Sequence, residues 1–144
     1  MQLSTILAHK GSHVVTIRPG ATVSGLATVL AENHIGAAVV SEDALHILGI
    51  ASERDVVRAI ADHLDLSWTP VSEVMSAEVC ALLGTDSVEH AMEVMTNQRV
   101  RHLPIVDESL ALVGLVSIGD LVKHRLDQLE GERTALMEYI TKGG

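Results

Sequence analysis

The chain repeats itself. Displaced by 65 residues, Val14–His63 aligns with Val79–Gln128 without a gap. Val23 falls on Val88, Val29 on Val94 and Leu45 on Leu110. Gly49, Ser52, Asp55 and Val57 then fall on Gly114, Ser117, Asp120 and Val122. Many other columns pair apolar with apolar. Such a unit is too long for a solenoid repeat and too short for an ordinary independent domain. It predicts two halves packed face to face in one pseudo-symmetric module, which suits a chain of 144 residues.

Each half reads as strand, helix, strand, strand, helix, an α/β (α+β) unit. Val14–Ile17 is a short β run ended by the turn signal Arg18-Pro19-Gly20. Thr22 caps a helix over 23–33, where Val23, Leu26, Ala27 and Leu30 recur at helical spacing. Ala37–Val40 and Ile47–Ala51 are β-prone and flank the polar turn Ser41-Glu42-Asp43. Ser52, a favoured N-cap, opens a helix over 53–63. The second half predicts strands at 79–83, 103–106 and 112–116, and helices at 88–98 and from about 118. Thr69-Pro70-Val71-Ser72 is the linker. The expected division is 1–66 for the N-terminal segment and first repeat, 67–128 for the linker and second repeat, and 129–144 for a helical tail.

Along that tail Val122, Leu126, Leu129, Leu136 and Ile140 lie near one helical face, interrupted by Gly131. The stripe either covers the chain's own core or meets a second copy. Hydrophobic residues are 47% of the chain and its mean hydropathy is +0.31. No apolar stretch approaches the ~18–20 residues of a membrane span. That surplus favours a homodimer contact and no membrane.

A net charge of −9 argues against a nucleic-acid backbone, which needs a basic footprint. Trp68 and Tyr139 are the only aromatics, so a single strand would find almost nothing to stack on. Cys80 stands alone, which excludes an intrachain disulfide, and its apolar surroundings predict a buried, inert thiol in a strand. The start, Met1-Gln2-Leu3-Ser4-Thr5, lacks the basic-then-apolar order of a signal peptide, so a cytoplasmic protein is expected. Eight histidines are scattered, without an HExxH or Cys/His ligand set, and no metal site is expected.

The chemistry concentrates in one window that occurs twice: Gly49-Ile50-Ala51-Ser52-Glu53-Arg54-Asp55 and Gly114-Leu115-Val116-Ser117-Ile118-Gly119-Asp120. A strand ends and a helix begins at each Ser. The free N–H groups of a first helical turn favour an anion such as phosphate, and the Ser hydroxyl can join them. A carboxylate in that turn can accept two hydrogen bonds from a ribose diol. Gly49 and Gly114 permit close backbone approach. Plain helix capping is the competing reading; occurrence at the same phase of both repeats weighs toward a ligand. Ser52, Glu53 and Asp55 have no partner base, which argues against catalysis.

These features resemble a tandem pair of CBS domains, also called a Bateman module. The resemblance rests on the 65-residue repeat, the two Gly-x-x-Ser-x-x-Asp windows, Val-Met-Ser opening the second half and Arg-His-Leu-Pro-Ile-Val-Asp before its hairpin. It covers about residues 12–128, and the tail resembles small stand-alone bacterial CBS-pair proteins. It implies two β-α-β-β-α repeats, often a homodimer, with adenine nucleotides in clefts between repeats: AMP, ADP or ATP, or in some members NAD(H) or S-adenosylmethionine. Asp55 matches the ribose-binding acid, Ser52 the phosphate-side hydroxyl and Thr16 the first-strand threonine. Ile17, Gly36, Ala37 and Ala38 match the wall and backbone edge around adenine. In the second repeat Asp120 and Ser117 match the same roles, and Arg101, His102, Leu103 and Pro104 match the adenine-side segment, while Met75 lines the adenine cleft. Ala81 stands where a threonine is expected, so the second site lacks one hydroxyl. Arg54 and Arg101 are expected on phosphate, with Gly119 in the turn beside it.

The function expected is a non-catalytic regulatory module, binding adenine nucleotide and signalling energy or redox state to an effector protein. A constitutive dimerisation scaffold with vestigial sites is the alternative.

Overall fold

The computed structural model describes residues 1–142. Helix α1 (Leu3–Lys10) precedes a first repeat of β1 (Thr16–Ile17), α2 (Val23–Asn33), β2 (Ala37–Val40), β3 (Gly49–Ser52) and α3 (Glu53–Ala61). A 3-10 turn at Val71–Glu73 leads into β4 (Leu82–Leu83), α4 (Val88–Gln98), β5 (His102–Val106), β6 (Leu112–Ser117) and α5 (Ile118–Lys142). Each repeat is an α+β unit with its own three-stranded sheet, ordered β1-β2-β3 and β4-β5-β6.

Register repeats along with sequence. Antiparallel β2 and β3 set Ala37 opposite Ser52 and Val40 opposite Gly49. Antiparallel β5 and β6 set His102 opposite Ser117 and Ile105 opposite Gly114. The parallel edge strands place Ile17 beside Val40 and Leu82 beside Ile105. Every one of these pairs maps onto its counterpart under the 65-residue shift.

Helices α2 and α4 start where the sequence predicts, because Thr22 Oγ1 accepts the Gly25 N–H and Ser87 Oγ accepts the His90 N–H, each at 3.0 Å. They end at His34 and Arg99, both left-handed, with φ of 53° and 56°. One core packs Leu26 and Leu30 against Ile17, Ala38, Val40, Ala51 and Val71. The other packs Leu3, Ile6 and Leu7 against Leu103, Ile105, Val116 and Leu121.

That second list contains the principal departure from the sequence reading. The N-terminal segment, grouped with the first repeat, packs on the second. The Leu3 and Ser4 N–H groups donate to the carbonyls of Asp86 and Gly84, and the Val88 N–H donates to Met1, all at 2.9 Å. The linker makes the matching bonds to the first repeat: Val71 to Ala21 at 2.7 Å, and Ser72 to Pro19 and Val23 to Thr69 at 3.0 Å. Each repeat is thus closed by the segment that precedes the other one.

The first strand of each repeat is shorter than expected, with two residues instead of four or five, because only Thr16–Ile17 and Leu82–Leu83 find ladder partners. Cys80 falls in the unpaired stretch before β4 and is exposed, which corrects the expectation of a buried thiol. Helix α5 runs unbroken through Gly131. A Cβ there would meet nothing within 4 Å. Gly131→Ala is therefore expected to stabilise this helix by about 1 kcal/mol, read as slower amide exchange on either side of it. Unchanged exchange would mean that α5 is held by contacts rather than propensity.

Candidate functional site

The two Gly-x-x-Ser-x-x-Asp windows form matched strand-to-helix corners, at β3–α3 and β6–α5. In the first, Asp55 Oδ2 accepts from the Ser52 N–H at 2.8 Å and from Ser52 Oγ at 3.2 Å. In the second, Asp120 Oδ2 accepts from the Ser117 N–H at 2.8 Å, while the Asp120 N–H donates to Ser117 Oγ at 3.1 Å. Each carboxylate therefore caps its own helix through one oxygen, and its Oδ1 makes no hydrogen bond among the described residues. Both side chains are half-buried. Each corner can present a carboxylate acceptor for a sugar hydroxyl and one remaining first-turn N–H, that of Arg54 or of Gly119, to one ligand.

The corners approach each other at Gly36 and His102. The Gly36 carbonyl accepts the Glu53 N–H at 3.0 Å, and the Arg101 carbonyl accepts the Ile118 N–H at 2.8 Å. A Cβ on Gly36 would sit 3.4 Å from His102 Cε1 and 3.8 Å from Glu53 Cδ. An alanine there would touch the imidazole at ordinary van der Waals distance, so the ring from the second repeat lies directly against the first. From α1, Lys10 Nζ reaches Asp120 Oδ2 at 2.6 Å and the Leu115 carbonyl at 2.8 Å. Burial pushes the Asp120 carboxyl up, but the hydrogen bonds from Lys10 and Ser117 outweigh it and hold the group below its usual value.

His102 is held below its usual 6.5, first by burial, then by Lys10 and Arg101, against the pull of Asp120 and Glu53. Below about pH 6.5 the unfolded chain takes up a proton that the folded chain resists, so the stability His102 contributes is complete above that value and is lost as pH falls. The difference in Tm between wild type and His102→Gln is expected to be constant above about pH 7 and to shift against the wild type on acidification toward about pH 5. A difference independent of pH would exclude this titration.

Ser52, Asp55, Ser117 and Asp120 occupy the corners. Gly36 and His102 lie where the corners meet. Thr16 is half-buried, on the opposite strand face from Ile17. Ile17, Ala38 and Leu103 turn into the two cores, leaving only their backbone edges for a ligand. Ala37 and Pro104 are buried on the other strand faces. Arg54, Arg101, Gly119 and Ala81 are exposed, and Ala81 lies just outside the β4 ladder. Met75 packs against the first core and on Gly49, with Sδ 2.7 Å from where a Cβ would be. Sequence reasoning missed Lys10, which is distant in the chain and outside the repeat. It also passed over Glu53 as a neighbour of His102. The signal for Lys10 was available: Leu3-Ser4-Thr5-Ile6-Leu7 parallels Val71-Ser72-Glu73-Val74-Met75 at an offset of 68.

Comparison with known proteins agrees with this architecture. The CBS domain family matches twice, over residues 10–62 and 71–127. The CBS domain-containing protein YhcV of Bacillus subtilis is 34% identical over 125 residues, covering 86% of this chain and 87% of that protein. The crystal structure of a CBS-domain containing protein from Agrobacterium tumefaciens is 36% identical with a TM-score of 0.82, covering 87% of this chain and 99% of that one. A CBS domain protein from Pyrobaculum aerophilum, solved in complex with AMP, is 33% identical with a TM-score of 0.79, over 90% of this chain and 97% of that one. With both repeats matched and the same fold recovered, the chain belongs to the CBS-domain family as a tandem pair of CBS repeats.

Proposed function

We propose that the protein is a non-catalytic regulatory module that binds adenine nucleotide at the corners between its repeats and transmits occupancy to an effector protein. The observation that carries this reading is the duplicated corner: a half-buried carboxylate with one unengaged oxygen, beside a serine and a helix N-terminus, at the same register in both repeats. Asp55 and Asp120 take the ribose, while Ser52 and Ser117 take the phosphate side. Arg54 and Arg101 are exposed nearby and supply cations. The AMP complex of the Pyrobaculum relative supports this ligand class. AMP, ADP, ATP and NAD(H) share the adenosine half that these residues address.

The functional unit in this reading is a homodimer. On α3, Val57 and Ile60 are 64% and 56% exposed, and on α5 Leu126, Leu136 and Ile140 are 61%, 59% and 59% exposed. Val57 also lines a groove of about 470 Å³ between α2 and α3, whose Gly36 and Glu53 lining belongs to the candidate site rather than to this exposed face. A second copy is the occupant that suits such a surface.

The scaffold alternative has one observation in its favour: both carboxylates already cap their helices within the protein. Calorimetric titration of the ligand-stripped protein with AMP, ADP, ATP, NAD⁺, NADH and S-adenosylmethionine separates the two readings. Saturable binding of an adenine nucleotide is expected. Silence across the panel from a folded dimer would leave the corners as helix caps and the protein as a scaffold. Turnover of bound nucleotide on prolonged incubation would overturn the non-catalytic part.

A further inference from the structure

The two corners are alike in sequence but not in what stands over them. In the first repeat, the linker makes a two-way backbone bridge: the Ile50 N–H donates to the Ser76 carbonyl and the Ser76 N–H donates to the Ile50 carbonyl, both at 2.9 Å. The counterpart of the Ile50 carbonyl is that of Leu115, and it accepts Lys10 Nζ instead. Helix α1 causes the difference, because it stays helical to Lys10 while Leu7 seats on Gly114. At the 68-residue offset the residue matching Lys10 is Glu78, so the linker carries no cation at that point of its sequence.

The consequence falls on the carboxylates. Asp55 Oδ2 accepts from the Ser52 N–H and from the Ser52 hydroxyl. That hydroxyl can rotate away and give up its place to a ribose. Asp120 Oδ2 accepts from the Ser117 N–H and from an ammonium, with an additional carbonyl fixing the ammonium in position. A ribose diol can place one hydroxyl on the unengaged Oδ1, but its second must share Oδ2, where a neutral sugar hydroxyl competes poorly with a charged donor.

We propose that Lys10 is a built-in competitor for the second corner, so that the two clefts take adenine nucleotide with unequal affinity and the second fills only as Lys10 leaves Asp120. This rests on the nucleotide reading above and adds to it an order of filling and a residue that sets it. Release of Lys10 would also loosen the C-terminal end of α1 from α5. Occupancy of the second cleft thereby reaches the segment that closes the second repeat.

The test is AMP titration of the wild type, Asp55→Ala, and Asp55→Ala combined with Lys10→Met or Lys10→Gln, each checked for folding by thermal melting. In the Asp55→Ala background remaining binding belongs to the second cleft. Removing the ammonium there is expected to tighten it by roughly three- to fivefold, since the ion pair is partly solvent-exposed. Lys10→Arg, which keeps the charge, is expected to leave it weak. Equal or weaker binding on removing Lys10, while the wild type binds AMP, would overturn the competitor assignment alone and make Lys10 a bystander or a phosphate ligand. If neither the wild type nor any Lys10 variant binds AMP, the nucleotide reading falls and the competitor assignment falls with it.

Discussion

Asp55→Ala is expected to weaken adenine nucleotide binding at the first cleft by roughly 100-fold or more while the protein stays folded. A ribose diol on a carboxylate makes two charge-assisted hydrogen bonds, and removing the acceptor leaves both hydroxyls unpaired in a half-buried site. Two such bonds convert to about two decades of affinity or more. Asp55 also holds the Ser52 N–H, so the substitution costs about 1 kcal/mol of helix capping as well. Asp55→Asn separates these roles. Its amide oxygen still accepts from the Ser52 N–H, but the side chain is neutral and its other end is a donor where the sugar needs an acceptor. The expected pattern is a near-wild-type Tm for Asp55→Asn with binding still lost. Wild-type affinity in both variants would reduce Asp55 to a helix cap. Asp120→Asn is expected to do less, since Lys10 already engages that carboxylate.

Helix α2 and helix α4 were legible in the sequence to the residue, because each carries its own cap and its own apolar face. The strands β2, β3, β5 and β6 were legible because each is a short apolar run, and in the first repeat a polar turn separates the pair. The β1 and β4 strands were overextended, because a run of apolar residues does not tell how many will find a partner. Helix α1 was invisible for a thermodynamic reason. Eight residues are too few to be helical alone, Gln2 supplies no side-chain cap, and Leu3, Ile6 and Leu7 gain their burial against a repeat 75 or more residues away. Nothing local signals such an element. The four corner residues were readable from the repeat, whereas Lys10 became part of the site only through that long-range packing. The repeat also concealed the parallel between α1 and the linker, because the offset changes from 65 to 68 and an ungapped alignment stops there.

The glycines that open the two windows serve the chain rather than a ligand, and this yields the largest stability effect expected. The sequence reading gave Gly49 and Gly114 to close backbone approach. The group that approaches Gly49 is the linker: a Cβ there would lie 2.6 Å from the Ser76 carbonyl oxygen and 2.7 Å from Met75 Sδ. Met75 can change rotamer, but Ser76 is fixed by its two-way bridge to Ile50, so relief requires breaking that bridge. At Gly114 the obstruction is Leu7, with Cδ2 at 2.6 Å, the far end of a side chain that can turn. Gly49→Ala is therefore expected to destabilise by about 3 kcal/mol and Gly114→Ala by about 1 kcal/mol, as overpacking with and without a yielding neighbour. In a chain of this length these correspond to falls in Tm of roughly 10 °C and 3 °C, measured by calorimetry on both variants. Leu7→Ala combined with Gly114→Ala is expected to recover none of the wild-type stability but to abolish the clash, leaving the cost of the Leu7 cavity. If instead both alanines leave Tm unchanged and reduce AMP affinity, the glycines face the nucleotide, and the linker and α1 stand further from the corners than the packing of Met75 and Leu7 requires.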